Sequence, residues 1–232
     1  MELLRVRIER AGYEERDDVV KDVGFALEAG RLVGLIGPNG AGKSTTIKAI
    51  LGLIKLTKGE VSFCGPEGTY AYIPEHPILY EELTLWEHLE LAAAAYGLTE
   101  ERFRKRAEEL LARFRLGDVR DHLTTSFSKG MQQKVMLVIG FLTKPDVYIV
   151  DEPFIGLDPK ATKELLDTLN EERRRGAAIL MSTHVLDTAE RICDSFVLLN
   201  GGETVAQGDL EHIRRQCGKP GATLFECFHT LT

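Results

Sequence analysis

The pattern of hydrophobic and polar positions predicts two kinds of strand in the first part of the chain. Val6 and Ile8 alternate with charged residues, and Val23, Phe25 and Leu27 occupy alternate positions after Lys21-Asp22. Period-two alternation is typical of strands with one buried face, so both segments are predicted to be half-exposed strands of an opening antiparallel sheet. Within residues 31–36 the apolar positions are consecutive, which indicates a strand buried on both faces.

A helical block then interrupts the strands. The elements predicted before it are a helix at 43–53 and short strands at 59–64 and 69–73. From residue 84 to 116 leucines recur at helical spacing, and another helix is predicted after Ser128, because serine is preferred at helix N-termini. We therefore predict an inserted helical subdomain at residues 80–140.

Strands and helices alternate again after this block. The predicted strands are 147–150, 177–181 and 196–199, and the predicted helices are 159–175, 185–193 and 209–216. Such alternation indicates an α/β fold with a mainly parallel sheet covered on both sides by helices. We predict one domain, with its core at residues 1–79 and 141–216 and a short tail at 217–232. The tail is interrupted by glycine and proline and is too short to be a domain.

Composition and charge narrow the functional classes. The 232 residues are 44% hydrophobic and 28% charged, which is ordinary for a globular protein, and the formal net charge is −7. A negative chain gains no general attraction to nucleic acid or anionic lipid, so no nucleic-acid partner is predicted. The basic residues at 102–106 are interleaved with glutamates and are predicted to form a solvated helix face.

The cysteines and the apolar segments indicate the cellular compartment in which the chain is expected. The four cysteines, which form no CxxC pair, are Cys64, Cys193, Cys217 and Cys227. They are predicted to be idle thiols in a reducing compartment. The first residues lack the apolar centre of a signal peptide, and the longest apolar run, 135–142, is far shorter than a membrane span of about 20 residues. We expect a cytoplasmic chain, soluble by itself, whose membrane role depends on a partner.

Residues 37–44 match the phosphate-binding motif G-x-x-x-x-G-K-[ST] in full, between a predicted buried strand and a predicted helix. The residues predicted to contact ATP here are Gly37, Pro38, Asn39, Gly40, Ala41, Gly42, Lys43, Ser44 and Thr45. Glycines let backbone N–H groups surround an anion, and the following helix directs its positive end to the same place. Lys43 is predicted to reach the β- and γ-phosphates, and the Ser44 hydroxyl to ligate Mg²⁺.

Two carboxylates follow the apolar strand at 147–150. In a parallel sheet the carboxyl ends of the strands face the ligand crevice. Asp151 is therefore predicted to hold the Mg²⁺ that Ser44 also contacts. Glu152 points elsewhere and is predicted to be the general base that polarises the attacking water.

Three further segments complete a recognisable set of motifs. They are Ser128-Lys129-Gly130-Met131-Gln132-Gln133, Gly156-Leu157-Asp158 and Ser182-Thr183-His184. In this order, with the phosphate loop and the two carboxylates, they resemble the nucleotide-binding subunit of an ABC transporter. The resemblance extends over residues 4–213 and implies a P-loop ATPase core with an N-terminal antiparallel β subdomain.

The resemblance also implies a role for each motif. Tyr13 would stack on the adenine, and His184 would contact the γ-phosphate and the attacking water as a catalytic switch. The signature segment, including Ser128, Gly130 and Met131, would meet the γ-phosphate that is bound to a second subunit. The remaining implied position is Asp158, at the seam between the two subunits.

The sequence departs from the usual family pattern at two places. Glu75 stands where the family usually has the glutamine that ligates Mg²⁺, so metal binding is expected to survive with altered strength. The signature reads Phe-Ser-Lys-Gly-Met instead of the common Leu-Ser-Gly-Gly-Gln. This variant resembles the ATPase subunits of ABC-2-type exporters, and residues 73–84 resemble the Ecs-type bacterial subunits.

The resemblance implies an ATPase that dimerises with a copy or a paralogue around two ATP molecules. It would power export through a separate polytopic permease, from the inner face of the plasma membrane. Two alternatives stay open on the sequence. One is an ABC ATPase of DNA repair or translation, which is expected to carry long coiled-coil insertions or two fused ATPase halves. The other is a nucleotide-sensing regulatory subunit without useful turnover.

Overall fold

The structure, a computed structural model, describes residues 1–14, 16–54 and 58–232, with the backbone alone at 16 and 17. The strands within these residues are β1 (Glu2–Tyr13), β2 (Arg16–Glu28), β3 (Leu32–Ile36), β4 (Lys58–Phe63), β5 (Tyr70–Ile73), β6 (Val147–Asp151), β7 (Ala178–Thr183), β8 (Ser195–Asn200) and β9 (Glu203–Gly208). The α-helices are α1 (Lys43–Ile50), α2 (Leu85–Ala95), α3 (Glu100–Phe114), α4 (Lys129–Leu142), α5 (Pro159–Arg175), α6 (Leu186–Ile192), α7 (Leu210–Gln216) and α8 (Leu224–Leu231).

The strands form two sheets. The smaller is antiparallel with the order β2-β1-β4, and the larger has the order β5-β6-β7-β3-β8-β9. In the larger sheet β5, β6, β7, β3 and β8 run parallel, and β9 pairs antiparallel with β8. The predicted antiparallel opening and mainly parallel sheet are confirmed.

The larger sheet is buried on both faces, which explains its consecutive apolar residues. In β6, Val147 and Ile149 pack into a cluster with the antiparallel sheet and α1. Tyr148 and Val150 pack on the opposite face, in a cluster formed with α2, α3, α4 and α5. All four side chains are at most 1% exposed. Because successive strand residues point to opposite faces, a strand between two apolar layers needs an apolar residue at every position.

The helical block packs directly on the sheet. Its three helices share one hydrophobic cluster with β5 and β6, so the boundaries at 80 and 140 do not separate two cores. Two side chains of α3 also form ion pairs with α5. Arg106 lies 2.9 Å from Glu172, and Arg113 lies 2.7 Å from Glu171. Within the described ranges, no helix is long and apolar enough to cross a membrane.

One strand and one α-helix of the described residues were not predicted from the sequence. β9 forms a hairpin with β8, after a turn in which Gly201 and Gly202 both have positive φ. α8 lies in the tail and begins with a capping box between Thr223 and Glu226. Its Leu224, together with neighbouring side chains, packs against α6 and α7, so the tail forms part of the hydrophobic core.

Candidate functional site

The phosphate loop connects β3 to α1 in a conformation that requires glycine. Gly42 has φ 100°, and a Cβ on Gly37 would lie 2.5 Å from the Leu199 carbonyl oxygen. The buried Lys43 ammonium donates hydrogen bonds to the carbonyl oxygens of Gly37 (2.8 Å) and Pro38 (3.4 Å). The lysine is therefore held over the loop whose N–H groups are suited to bind an anion.

The topology of the sheet brings the predicted site residues together. Because β5, β6, β7 and β3 are parallel neighbours, their carboxyl ends meet at one edge. Gly37 follows β3, Glu75 follows β5, and His184 follows β7. Asp151 is the last residue of β6. Residues far apart in the chain thus converge at one edge of the sheet.

Ser182, to which no role was assigned from the sequence, contacts the Asp151 carboxylate and the Glu152 backbone. Its hydroxyl donates a hydrogen bond to Asp151 Oδ1, and the two residues are paired across β6 and β7. The same hydroxyl and the Ser182 carbonyl accept from the Glu152 N–H at 3.1 and 3.2 Å. Glu152 has φ 45°, an unusual backbone conformation for a residue other than glycine, and such conformations concentrate at functional sites.

The Glu152 carboxylate lies between two potential hydrogen-bond donors. Its Oε1 is 2.9 Å from His184 Nδ1 and 3.5 Å from Lys43 Nζ. Glu152 is 6% exposed, whereas the His184 side chain is 45% exposed. A buried carboxylate beside a histidine can accept a proton from a water molecule while the histidine orients that water.

The acidic groups of this edge repel one another. Burial raises the pKa of Asp151, and the negative charges of Glu75 and Glu152 add to the rise, while the Ser182 hydroxyl and Lys43 oppose it. Burial, Asp151 and Glu75 likewise raise the pKa of Tyr72 to about 12. The repulsion between these carboxylates therefore destabilises their ionised forms, and a bound divalent cation would offset that repulsion.

The donor set fits a cation that shares its coordination with phosphate. Ser44 and Glu75 line one cleft, and Asp151, which is 3% exposed, directly precedes the cleft residue Glu152. In the part of the chain that the structure describes, no group of three or more His, Cys, Asp or Glu side chains is arranged to hold a metal ion. Mg²⁺ is commonly held by one or two carboxylates together with phosphate oxygens, so these residues suit Mg²⁺ bound with a nucleotide.

The cleft has a volume of about 310 Å³. Its lining residues are Val19, Pro38, Asn39, Gly40, Gly42, Lys43, Ser44, Thr45, Glu75, Glu152, Ile155 and His184. Val19 and Ile155 were not predicted from the sequence. Gly37 and Ala41 belong to the loop but do not line the cleft. The structure thus brings together Lys43 of the phosphate loop, Glu152, which is predicted to be the general base, and His184, which is predicted to be the switch.

Tyr13 lies outside this lining, at the end of β1. Its side chain is 44% exposed, and the Lys48 ammonium lies 5.5 Å from the centre of its ring. An exposed aromatic ring is available for stacking, so the adenine contact of Tyr13 stays a prediction.

The signature residues form a second cluster away from the cleft. Ser128 caps α4 and accepts a hydrogen bond from the Met131 N–H at 3.3 Å. A Cβ on Gly130 would lie 2.8 Å from the Gly156 carbonyl oxygen, so α4 and the loop before α5 approach too closely for any other residue. None of Ser128, Gly130 and Met131 lines the cleft.

Asp158 belongs to this second cluster. It caps α5 through the N–H groups of Lys160 and Ala161, and its Oδ2 lies 2.9 Å from Lys134 Nζ on α4. The Ala161 N–H and Lys134 are the largest causes that lower the pKa of Asp158, which therefore stays ionised. One chain thus presents a phosphate-loop cleft and a separate signature cluster.

Comparison with known proteins gives consistent results. Residues 20–155 match the profile of the family described as ABC transporter. The chain is 53% identical to the uncharacterized ABC transporter ATP-binding protein YthP of Bacillus subtilis (strain 168), over 98% of this chain and 95% of the relative. It is 50% identical to the ABC-type transporter ATP-binding protein EcsA of the same organism, over 100% of this chain and 97% of the relative.

A solved structure agrees with these relatives. It is described as the ATP binding subunit of an ABC transporter and superposes with a TM-score of 0.93 at 51% identity, over 99% of each chain. The similarity therefore extends over the sheets, the helical block and the tail helix α8.

Proposed function

The chain belongs to the ABC transporter ATP-binding family and is an ATPase subunit that powers a membrane transporter; from this premise we propose that two such subunits close around two ATP–Mg²⁺ and drive export through a separate permease. One observation carries this proposal. Lys43, Glu152 and His184 share one cleft, while the signature cluster lies elsewhere on the same chain.

The division of the site supports a dimer. The α4 N-terminus and its Ser128 cap are suited to contact phosphate, because free N–H groups at a helix start bind anions. They do not line the cleft of their own chain. A second subunit placing its signature cluster over that cleft would complete each site, with Asp158 at the seam. We propose a copy of this chain or a paralogue as this second subunit.

Each residue of the cleft has a distinct proposed role in ATP hydrolysis. Lys43 binds the β- and γ-phosphates, and the loop N–H groups surround them. Glu152 accepts the proton of the attacking water at a carboxylate oxygen, and His184 positions the water and the γ-phosphate. Mg²⁺, with Ser44, Glu75 and Asp151 as the proposed ligands, would supply charge stabilisation on the phosphate oxygens.

Glu75 is proposed to replace the glutamine usual in the family. Glu75→Gln keeps a side-chain oxygen in place and removes one negative charge, so ATP turnover should stay within roughly tenfold of the wild type. Glu75→Ala removes the oxygen and should lose much more, with a higher Mg²⁺ requirement. Steady-state turnover measured across an Mg²⁺ titration tests this. Equal activities of the two variants would show that Glu75 does not contact the metal.

The loop that follows β5 is the proposed contact with the permease. Ile78 is 76% exposed and Tyr80 is 62% exposed, and both precede α2. The Tyr80 N–H donates to His88 Nε2 at 2.9 Å, which fixes the loop on that helix. Because Glu75 begins this loop and faces the cleft, events at the nucleotide can reach the loop surface. The export direction is proposed from the signature variant Phe-Ser-Lys-Gly-Met.

Recovery of the complex from membranes tests the function. The tagged chain, expressed in its native cell, should be located at the inner face of the plasma membrane. It should copurify in mild detergent with a stoichiometric polytopic membrane protein, identified by mass spectrometry. ATP turnover should accompany the purified complex. Recovery without a membrane partner would favour the repair or translation alternative, and ATP binding without turnover would favour the nucleotide-sensing alternative.

A further inference from the structure

Two cysteines of the tail meet between neighbouring helices. Cys217 directly follows the last residue of α7 as its C-cap, and Cys227 lies in α8. Between the helices Gly218 and Gly221 adopt positive φ, so the chain reverses direction within a few residues. The two sulfur atoms lie 3.0 Å apart as a result. A disulfide requires an approach only about 1 Å closer.

The two thiols differ in accessibility. Cys227 is fully buried, in a cluster that includes Phe228 and Leu224. Cys217 is half-buried, and its thiol lies 3.4 Å from the Arg214 carbonyl oxygen. A reagent therefore reaches Cys217 first, while Cys227 stands directly behind it.

The surroundings favour a disulfide over a metal site. Among the described residues, no third His, Cys, Asp or Glu side chain joins the pair at metal-binding distance. Cys64 is exposed and belongs to the antiparallel sheet region, and burial raises the pKa of Cys193 to about 12. Cys193 packs against the edge of the cluster that contains Cys227, whereas Cys64 lies outside that cluster, so the two serve as a near and a distant control.

We propose that Cys217 and Cys227 are a reversible oxidation site whose intramolecular disulfide fixes α8 to α7. Its co-reactant is a low-molecular-weight disulfide. The Cys217 thiol loses its proton to solvent, and the resulting thiolate attacks one sulfur atom of this disulfide. A mixed disulfide forms, and the other half leaves as a thiolate that takes up a proton. The Cys227 thiol then gives up its proton and attacks the Cys217 sulfur, which releases the second thiolate. Two protein thiols are oxidised and one small disulfide is reduced to two thiols.

The order of attack follows from the environment. Cys227 is fully buried, so an external disulfide reaches Cys217 first, and Cys227 then stands 3.0 Å from the sulfur atom that it attacks. Burial and the neighbouring Cys217 thiol raise the pKa of Cys227 to about 12. Proximity then favours the internal bond, because the second step is intramolecular.

The site is linked to the catalytic edge through α6. The Leu224 N–H at the start of α8 donates to Glu190 Oε2 on α6 at 2.7 Å. α6 begins two residues after His184. Fixing α8 to α7 therefore restrains the helix that follows the switch histidine.

Peptide mapping of the oxidised full-length chain tests the site. The folded chain is incubated with oxidised glutathione, remaining thiols are alkylated at acid pH, and the digest is analysed by mass spectrometry. We expect a peptide linked between Cys217 and Cys227, lost on addition of dithiothreitol. The short loop closed by the bond should raise the thermal midpoint by roughly 5 °C.

Matched variants separate this site from general oxidation. Cys64→Ser and Cys193→Ser should keep both the linked peptide and the rise in midpoint, while Cys217→Ser should lose both. Mapping of the wild type needs no variant, so a poorly folding Cys227→Ser does not affect the test. A stable glutathione adduct on Cys217, a disulfide between chains, or a linked peptide without a rise in midpoint would each overturn the proposal.

Discussion

Replacement of Glu152 by Gln is expected to lower ATP turnover by at least about 10²-fold while ATP binding is retained. The amide has the size of the carboxylate and keeps a hydrogen-bond acceptor near His184, 2.9 Å from Glu152 Oε1 in the wild type. It cannot accept the proton of the attacking water. Since hydrolysis reopens the proposed dimer, the variant should accumulate as an ATP-bound dimer.

Size-exclusion chromatography with and without ATP–Mg²⁺, combined with a phosphate-release assay, measures both effects. The matched control is Glu203→Gln, because Glu203 is an exposed residue of β9 and lies outside the cleft lining. This control should hydrolyse ATP at the wild-type rate and show no trapped dimer. Near-normal phosphate release by Glu152→Gln would contradict the general-base assignment. Loss of turnover without an ATP-dependent dimer would contradict the proposed assembly.

Replacement of Asp151 by Asn is expected to change turnover and stability in opposite directions. Without the carboxylate the proposed Mg²⁺ ligand is lost, and a loss of several kcal/mol of charge stabilisation corresponds to about 10²-fold or more in rate. Nucleotide-free chains should instead become more stable. Asp151 is 3% exposed beside Glu75 and Glu152, and the neutral amide removes that repulsion while it still accepts from Ser182.

The raised pKa of Asp151 determines how the stability of the nucleotide-free chain should change with pH. The folded pKa of Asp151 is raised above the 3.8 typical of an exposed aspartate. Between these two pKa values the folded state holds a proton that the unfolded state has released. The contribution of Asp151 to the free energy of unfolding is therefore fully present below pH 3.8. It is lost as the pH rises through the folded pKa.

Thermal unfolding of nucleotide-free wild type and Asp151→Asn across this pH range measures the effect. The thermal midpoint of the variant should lack the decline with rising pH that Asp151 causes in the wild type. Near neutral pH it should be higher than the wild-type midpoint by roughly 2–5 °C. Asp187→Asn, an exchange in the first turn of α6 outside the cleft lining, is the matched control and should follow the wild-type profile. A lower midpoint for Asp151→Asn at neutral pH would show that the carboxylate stabilises the fold.

Much of the fold could be predicted because its signals are local. A strand buried on both faces needs consecutive apolar residues, and β3 and β6 have them. The phosphate loop needs glycines at fixed positions before Lys43, and parallel topology places Asp151 at the ligand edge. Each of these signals lies within a few residues of the element that it predicts.

Other features depend on contacts between distant segments. Ser182 resembles any polar residue of a strand until the pairing of β6 with β7 places it against Asp151. Gly130 resembles an ordinary helix glycine until α4 meets the Gly156 carbonyl oxygen. The helix α8 is short, and its stability comes from packing on α6 and α7 instead of from its own length.

By itself, the sequence determined the α/β class, the phosphate loop and the carboxylates, because each is encoded by residue type at fixed local spacing. The tertiary structure alone decided which groups touch. It placed Glu152 between His184 and Lys43, separated the signature cluster from the cleft, and brought Cys217 to Cys227. These contacts depend on how strands pair and helices pack, and such pairing is set by the whole core instead of by any one segment.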